Sequence, residues 1–237
     1  MATSLRSAWT HLWEGFLPKN AIIMARRKSL ERMSPFPSGL EGVQRELQDC
    51  RRCKLCENRK TLVLGEGNPH SKLVFIGEGP GELEDLQGRP FLGEEGKLLD
   101  KMLEAIGLQR ENVYLLDMIK CKTPESRKPE KDEIDSCSPF LFRQMDAIQP
   151  QIIVALGEFT AQFLLQSEER ISQMRGKFYP FRNAKVIPFF HPKYLLKNSK
   201  AKRQAWLDLQ LLARELGLEL PKRSVLTKQI LPSQEDS

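Results

Sequence analysis

Four short apolar runs constrain this chain most: Leu73-Val74-Phe75-Ile76, Val113-Tyr114-Leu115-Leu116, Ile152-Ile153-Val154-Ala155-Leu156 and Lys185-Val186-Ile187-Pro188-Phe189-Phe190. Runs of this length without polar alternation read as strands buried on both faces. Helical patterns lie between them. Over 94–106, Leu98, Leu99, Met102, Leu103 and Ile106 share one face, and Gly107 supplies a stop. Further patterns cover 130–148, 158–166 and 200–216. Such alternation predicts an α/β fold, with helices on both faces of a mostly parallel, four-stranded sheet. Ligands on these sheets bind outside the carboxyl ends of the strands. Gly77, Asp117, Gly157 and His191 each follow a predicted strand at that end, so the pattern gathers them on one rim.

The cysteines add a second constraint. A 237-residue chain suits one domain, and a core of that size is stable without disulfides. Five cysteines is an odd number and no secretory apolar segment is present, which argues against an extracellular disulfide framework. No apolar run approaches the ~18 residues of a membrane span, so a soluble intracellular protein with no membrane partner is expected. Cys50-x-x-Cys53, with Cys121 and Cys137 further on, reads as metal ligation or redox chemistry. Thiolates suit Fe–S clusters and tetrahedral zinc alike, and spacing alone does not separate the two. Cys50, Cys53 and Cys56 form an alternative ligand set, and ordinary buried thiols are the plain alternative.

Charge placement says more than the net +6. Residues 1–60 hold twelve Lys/Arg against six Asp/Glu, and the remainder balances. Yet 171–210 carries nine basic residues and a single acid, Asp208. Clustered positive charge of this kind binds a polyanion by counterion release, or is simply a solvated face. Residues 1–40 differ from the rest in being Pro-broken and Ser- and Arg-bearing. They read as an N-terminal extension: a disordered arm, sequence ahead of a later start at Met24 or Met33, or a transit peptide. The domain proper is expected over 41–220, followed by a flexible tail, 221–237.

The motifs resemble one family. Gly65-Glu66-Gly67-Asn68-Pro69, Gly77-Glu78-Gly79-Pro80-Gly81-Glu82 with Glu84-Asp85, and Gly88-Arg89-Pro90-Phe91-Leu92-Gly93 occur in order. Lys120-Cys121, Cys137 and His191-Pro192-x-Tyr194-Leu195-Leu196 complete the set. From about 43 to 216 the chain resembles the family 4 uracil-DNA glycosylases, the iron–sulfur type. The resemblance implies a three-layer α/β/α sandwich and a base-excision repair enzyme that hydrolyses the N-glycosidic bond of uracil in DNA. It implies a [4Fe-4S] cluster on Cys50, Cys53, Cys121 and Cys137, leaving Cys56 spare. The implied partner is uracil-containing DNA, single- or double-stranded, and a cytoplasmic, nucleoid-associated monomer is expected.

A glycosylase takes its base out of the stack before cutting the bond. By resemblance, the flipped base stacks on Phe91, and His191 donates a hydrogen bond to base O2 as it becomes anionic. The plain alternatives are core packing for Phe91 and a structural role for His191. The turn over Gly77, Glu78 and Gly79 lets backbone approach the base. Glu78 orients water or offsets the positive charge on the sugar, with Glu84 and Asp85 as rival carboxylates. Leu195 is the expected wedge for the vacated stack. Lys193 stands where the family has serine and is expected to hold a phosphate.

Asp117 departs from the family, whose asparagine four residues before the third cysteine reads uracil. An ionised aspartate only accepts hydrogen bonds, whereas a buried, protonated one also donates. A carboxylate also suits the exocyclic amine of cytosine. Three alternatives therefore stand beside uracil excision: a glycosylase of altered base specificity, a catalytically silent iron–sulfur DNA-binding protein, and a zinc-stabilised nucleotide-binding module.

Overall fold

A computed structural model of the chain describes residues 39–220. The tail 221–237, and all but the last two residues of the N-terminal extension, lie outside the described residues. The order is α1 (Leu40–Leu47), β1 (Glu66–Gly67), β2 (Leu73–Gly77), α2 (Glu82–Gln87), α3 (Gly93–Glu104), β3 (Tyr114–Asp117) and α4 (Lys131–Ile148). It continues with β4 (Ile152–Leu156), α5 (Glu158–Leu165), α6 (Ile171–Met174), β5 (Tyr179–Phe181), β6 (Ala184–Phe189), α7 (Pro192–Lys197) and α8 (Lys202–Glu215).

The sheet runs β1-β3-β2-β4-β6-β5. The four predicted strands form its parallel centre. The count is six rather than four, because β1 and β5 pair antiparallel at the two edges. Neither edge strand has an unbroken aliphatic run to announce it. β1 is only two residues, and β5 carries Pro180, which suits an edge position.

Alternation along the strands builds three layers. On one face Leu73, Phe75, Leu115, Val154 and Ile187 pack with Leu99, Met102 and Leu103 of α3 and with Leu209 and Leu212 of α8. On the other, Val74, Ile76, Leu116, Ile153 and Val186 meet Leu141 and Met145 of α4 and Ala161 and Leu164 of α5. Full burial of each such side chain contributes about 1.5–3 kcal/mol. A smaller cluster of Val43, Leu47 and Phe140 seats α1 on α4. No helix among the described residues is long and apolar enough to cross a membrane.

Strand order fixes where a ligand can sit. From β2 the chain steps to β3 on one side, and β4 then lies on the other. That reversal opens a crevice at the carboxyl ends, where Gly77 and Asp117 stand in register.

The neighbouring strand end is pinned by a buried ion pair. Arg175 Nε lies 2.8 Å from Asp208 Oδ2 and its Nη2 lies 2.7 Å from Oδ1, while the guanidinium covers the Phe190 ring at 5.5 Å. Burial pushes the Asp208 carboxyl up to about 6, with Arg175 opposing. Arg175→Met strands that carboxylate and is expected to cost about 3 kcal/mol in urea unfolding at pH 7.5. The deficit should shrink as the pH falls toward 6, because without Arg175 the carboxyl takes up its proton at a higher pH than in the parent.

Candidate active site and thiol cavity

The floor of the crevice is made by what glycine leaves out. A Cβ at Gly77 would collide with Asp117 Oδ1 and lie 2.7 Å from Phe91 Cζ. Only a residue without a side chain lets those two groups converge. The pairing of β2 with β3 continues past the strands, with Met118 N–H donating to Gly77 O at 2.9 Å and Ile119 N–H to Glu78 O at 3.3 Å. Gly79 is equally tight, since its Cβ would lie 2.7 Å from Ile119 Cγ1.

Glu84 and Asp85, the rival carboxylates, are occupied as backbone acceptors. Glu84 accepts from Gly81 N–H at 3.1 Å and from Leu92 N–H at 2.6 Å, joining the glycine turn to the Phe91 loop. Asp85 accepts from Lys60 N–H at 3.0 and 3.1 Å and from Thr61 N–H at 3.4 Å.

Phe91 is buried and has a φ of 52°, a strained region for a bulky side chain that costs roughly 1–3 kcal/mol. Arg110 holds it there. Its guanidinium donates to Phe91 O, to Pro90 O at 3.2 Å, and to the carboxylates of Glu66 and Asp100 at 2.5 Å each. Arg89 donates to the same Glu66 at 2.7 Å, so the Glu66 motif braces the loop. Gly96 makes room for the Phe91 carbonyl.

The Phe91 ring lies 6.5 Å from the His191 ring, tilted by 36°. His191 is the N-cap of α7, and its Nδ1 accepts from Lys193 N–H at 3.2 Å. That bond leaves the proton of the neutral ring on Nε2. Burial chiefly, and then Lys193, pull the imidazole down to about 4. Glu78 joins the group through α5. It accepts from Phe159 N–H, and a Cβ at Gly157 would lie 2.9 Å from its Oε1 and 3.5 Å from His191 Cβ. Burial raises the Glu78 carboxyl, against Lys128 and Lys193.

Asp117 is buried at the centre. Its carboxyl is pushed up to about 7, chiefly by burial; Lys120 opposes, while Glu84, Glu95 and Glu78 add to the rise. Glu95, at the start of α3, is itself raised by burial. Sequence reasoning missed Glu95, Arg110 and Lys128, because no pattern marks a residue that joins a site only through folding.

Two rim expectations are corrected. Leu195 is 1 % exposed and packs in the core, whereas Tyr194 and Leu196 are the exposed apolar side chains of α7 at 46 % and 44 %. The basic stretch is also partly spent internally: Arg175, Arg182 and Lys185 pair with Asp208, Asp146 and Glu215. Lys193, Lys197, Lys200 and Arg203 remain exposed around α7.

Behind β3 the cysteines meet. Cys50, Cys53, Cys56, Cys121 and Cys137 line one cavity together with Leu47, Arg59, Leu62 and Lys120. Arg59 Nη1 donates to Cys50 O at 2.8 Å and to Cys121 Sγ at 3.4 Å. Lys54 ties the Cys53 turn to Glu130 at the start of α4, which carries Cys137. Burial raises the Cys53 and Cys121 thiols, and pushes Cys137 up to about 11. Among the described residues no three His, Cys, Asp or Glu side chains converge on a single ion. The donor set, five thiols with Arg59 and Lys120 beside them, has the chemistry to hold a thiolate-bound metal group.

The family profile described as Uracil DNA glycosylase superfamily matches residues 64–210. The type-4 uracil-DNA glycosylase of Archaeoglobus fulgidus is 38% identical over 190 residues, covering 77% of this chain and 96% of that protein. Those of Sulfurisphaera tokodaii and Saccharolobus solfataricus are 40% identical over 193 residues and 42% over 168. They cover 78% and 67% of this chain, and 87% and 78% of their own lengths.

Glu84→Ala deletes the acceptor shared by the Gly81 and Leu92 amides. Expected is a loss of about 3 kcal/mol, with amide exchange at Leu92 accelerating while the β4 amides keep their protection. Unchanged exchange at Leu92 would refute the clamp.

Proposed function

The chain belongs to the uracil DNA glycosylase superfamily, in its type-4 branch, and from that premise we propose that it excises uracil from DNA, releasing the free base and leaving an abasic site. The observation that carries the reading is the meeting of Asp117 and Phe91 over Gly77, with the His191 ring 6.5 Å from that of Phe91.

Each residue has a part. The flipped base stacks on Phe91. A neutral Asp117 accepts from uracil N3–H through its carbonyl oxygen and donates its own proton to O4, which an ionised carboxylate cannot do. Neutral His191 presents Nε2–H to O2, where negative charge grows as the bond to the sugar breaks. Glu78, held by the N-terminus of α5, faces the positive sugar and orients the attacking water. Leu196 and Tyr194, in place of Leu195, fill the vacated stack. Lys193, Lys197, Lys200 and Arg203 grip phosphates, giving salt-dependent binding.

The thiol cavity is read as the seat of a [4Fe-4S] cluster on Cys50, Cys53, Cys121 and Cys137, with Cys56 spare. When bound, the cluster supplies a cross-link between the Cys50–Cys53 turn, the exit of β3 and α4. The substrate puts the protein's work on the chromosome, and every residue given a part here belongs to one chain.

Asp117 also makes a second reading specific: once ionised, it favours the exocyclic amine of cytosine. Asp117 is protonated below about pH 7, so kcat/KM on uracil should fall about tenfold per pH unit above that point. Asp117→Asn should flatten the alkaline limb, whereas His191, already neutral above about 4, should set no limb between pH 5 and 9. A variant profile that overlays the parent profile would remove Asp117 from base recognition. Measured on oligonucleotides with one uracil, Leu196→Ala should lower release from duplex about tenfold and from single strands far less, at unchanged Tm. Leu195→Ala should instead cost about 2–5 kcal/mol of stability.

A further inference from the structure

Lys120 is fully buried, which is rare for a lysine unless it is paired. Its Nζ donates to the backbone carbonyl of Asp117 at 2.6 Å, and an ammonium has three donors to place. Lys120 also lines the cavity with Cys50, Cys53, Cys121 and Cys137, and its charge interacts with Cys137 and Cys121. The residue is held at both ends of its backbone, its N–H on the Cys137 sulfur and its C=O accepting from Val63 N–H at 3.0 Å. One buried cation therefore stands between the base-reading strand end and the thiols.

We propose that Lys120 is a positioning residue that spans from the Asp117 carbonyl to the anionic thiolate–metal group of the cavity, so that loading the cavity sets the place of the base-reading carboxyl. The inference rests on the glycosylase reading of the same site. Metal-bound thiolates carry net negative charge and accept N–H···S bonds, as outer partners of metal ligands commonly do. Neutral thiols offer the ammonium little, and a buried cation without compensation costs several kcal/mol. The strain falls on the Asp117 carbonyl, three residues away. A small shift there moves the carboxyl relative to Gly77 and Phe91, where space is already tight.

The test uses the metal-loaded protein and Lys120→Met. Readouts are metal content and visible absorption, the affinity for free uracil, and the affinity for DNA bearing an abasic-site analogue. Uracil affinity should fall about tenfold, abasic-DNA affinity should stay within about twofold because its contacts are phosphate-borne, and the bound metal should yield faster to chelator. Uracil affinity unchanged, or falling in step with that for abasic DNA, overturns the proposal. If Lys120→Met does not fold, amide exchange of the parent protein is compared before and after chelation. The Met118 and Ile119 amides should lose protection while Ile152–Leu156 keep theirs, and equal retention overturns the proposal. A parent protein that fails to bind uracil sinks the glycosylase reading, and Lys120 is then judged by the rate of metal loss to chelator, an unchanged rate in Lys120→Met overturning the proposal.

Discussion

The parallel pairing of β2 with β3 is the contact on which the rest depends. Its register sets Gly77 opposite Asp117, and its continuation through Met118 and Ile119 carries the chain to Lys120 and Cys121. One ladder of backbone hydrogen bonds thus delivers the Asp117 carboxyl to the crevice and Cys121 to the thiol cavity. A slip of one residue would exchange the two faces. The side chains of β2 and β3 forbid it, since Phe75 and Leu115 belong to one core and Ile76 and Leu116 to the other.

Around that ladder the site is assembled mostly by backbone acceptors and missing side chains. Glu84 and Asp85 spend their carboxylates on amides of neighbouring loops, which fixes loop positions at the cost of two potential bases. Arg110 works the other way, spending a cation on carbonyls to keep Phe91 in a backbone state it would otherwise leave. The chemistry is left to few groups, each held through atoms remote from the reacting ones.

Much of this was legible in the sequence, for a physical reason. Strands buried on both faces leave unbroken apolar runs, so the four parallel strands, their rim and the helices between them could be read directly. β1 is too short to leave a run and Pro180 breaks the one around β5, so both edge strands went unseen. The cysteines, Phe91, Asp117 and His191 were visible because their motifs are local. Leu195 was misplaced because a Leu-Leu pair in a short helix does not say which member turns inward. Arg110 and Glu95 were invisible, since each acts only on residues far away in the chain. The basic stretch misled for a related cause: composition counts charges without knowing that Arg175, Arg182 and Lys185 have acidic partners across the fold.

Glu78, Glu95 and Asp117 gather at the pocket, while Lys193, Lys197, Lys200 and Arg203 stand exposed around α7. Such a layout separates the cationic side chains of the surface from the carboxyls within. Salt reaches the two unequally: dissolved ions screen the exposed lysines and weaken the hold of any polyanion on α7, while the buried carboxyls keep their interactions.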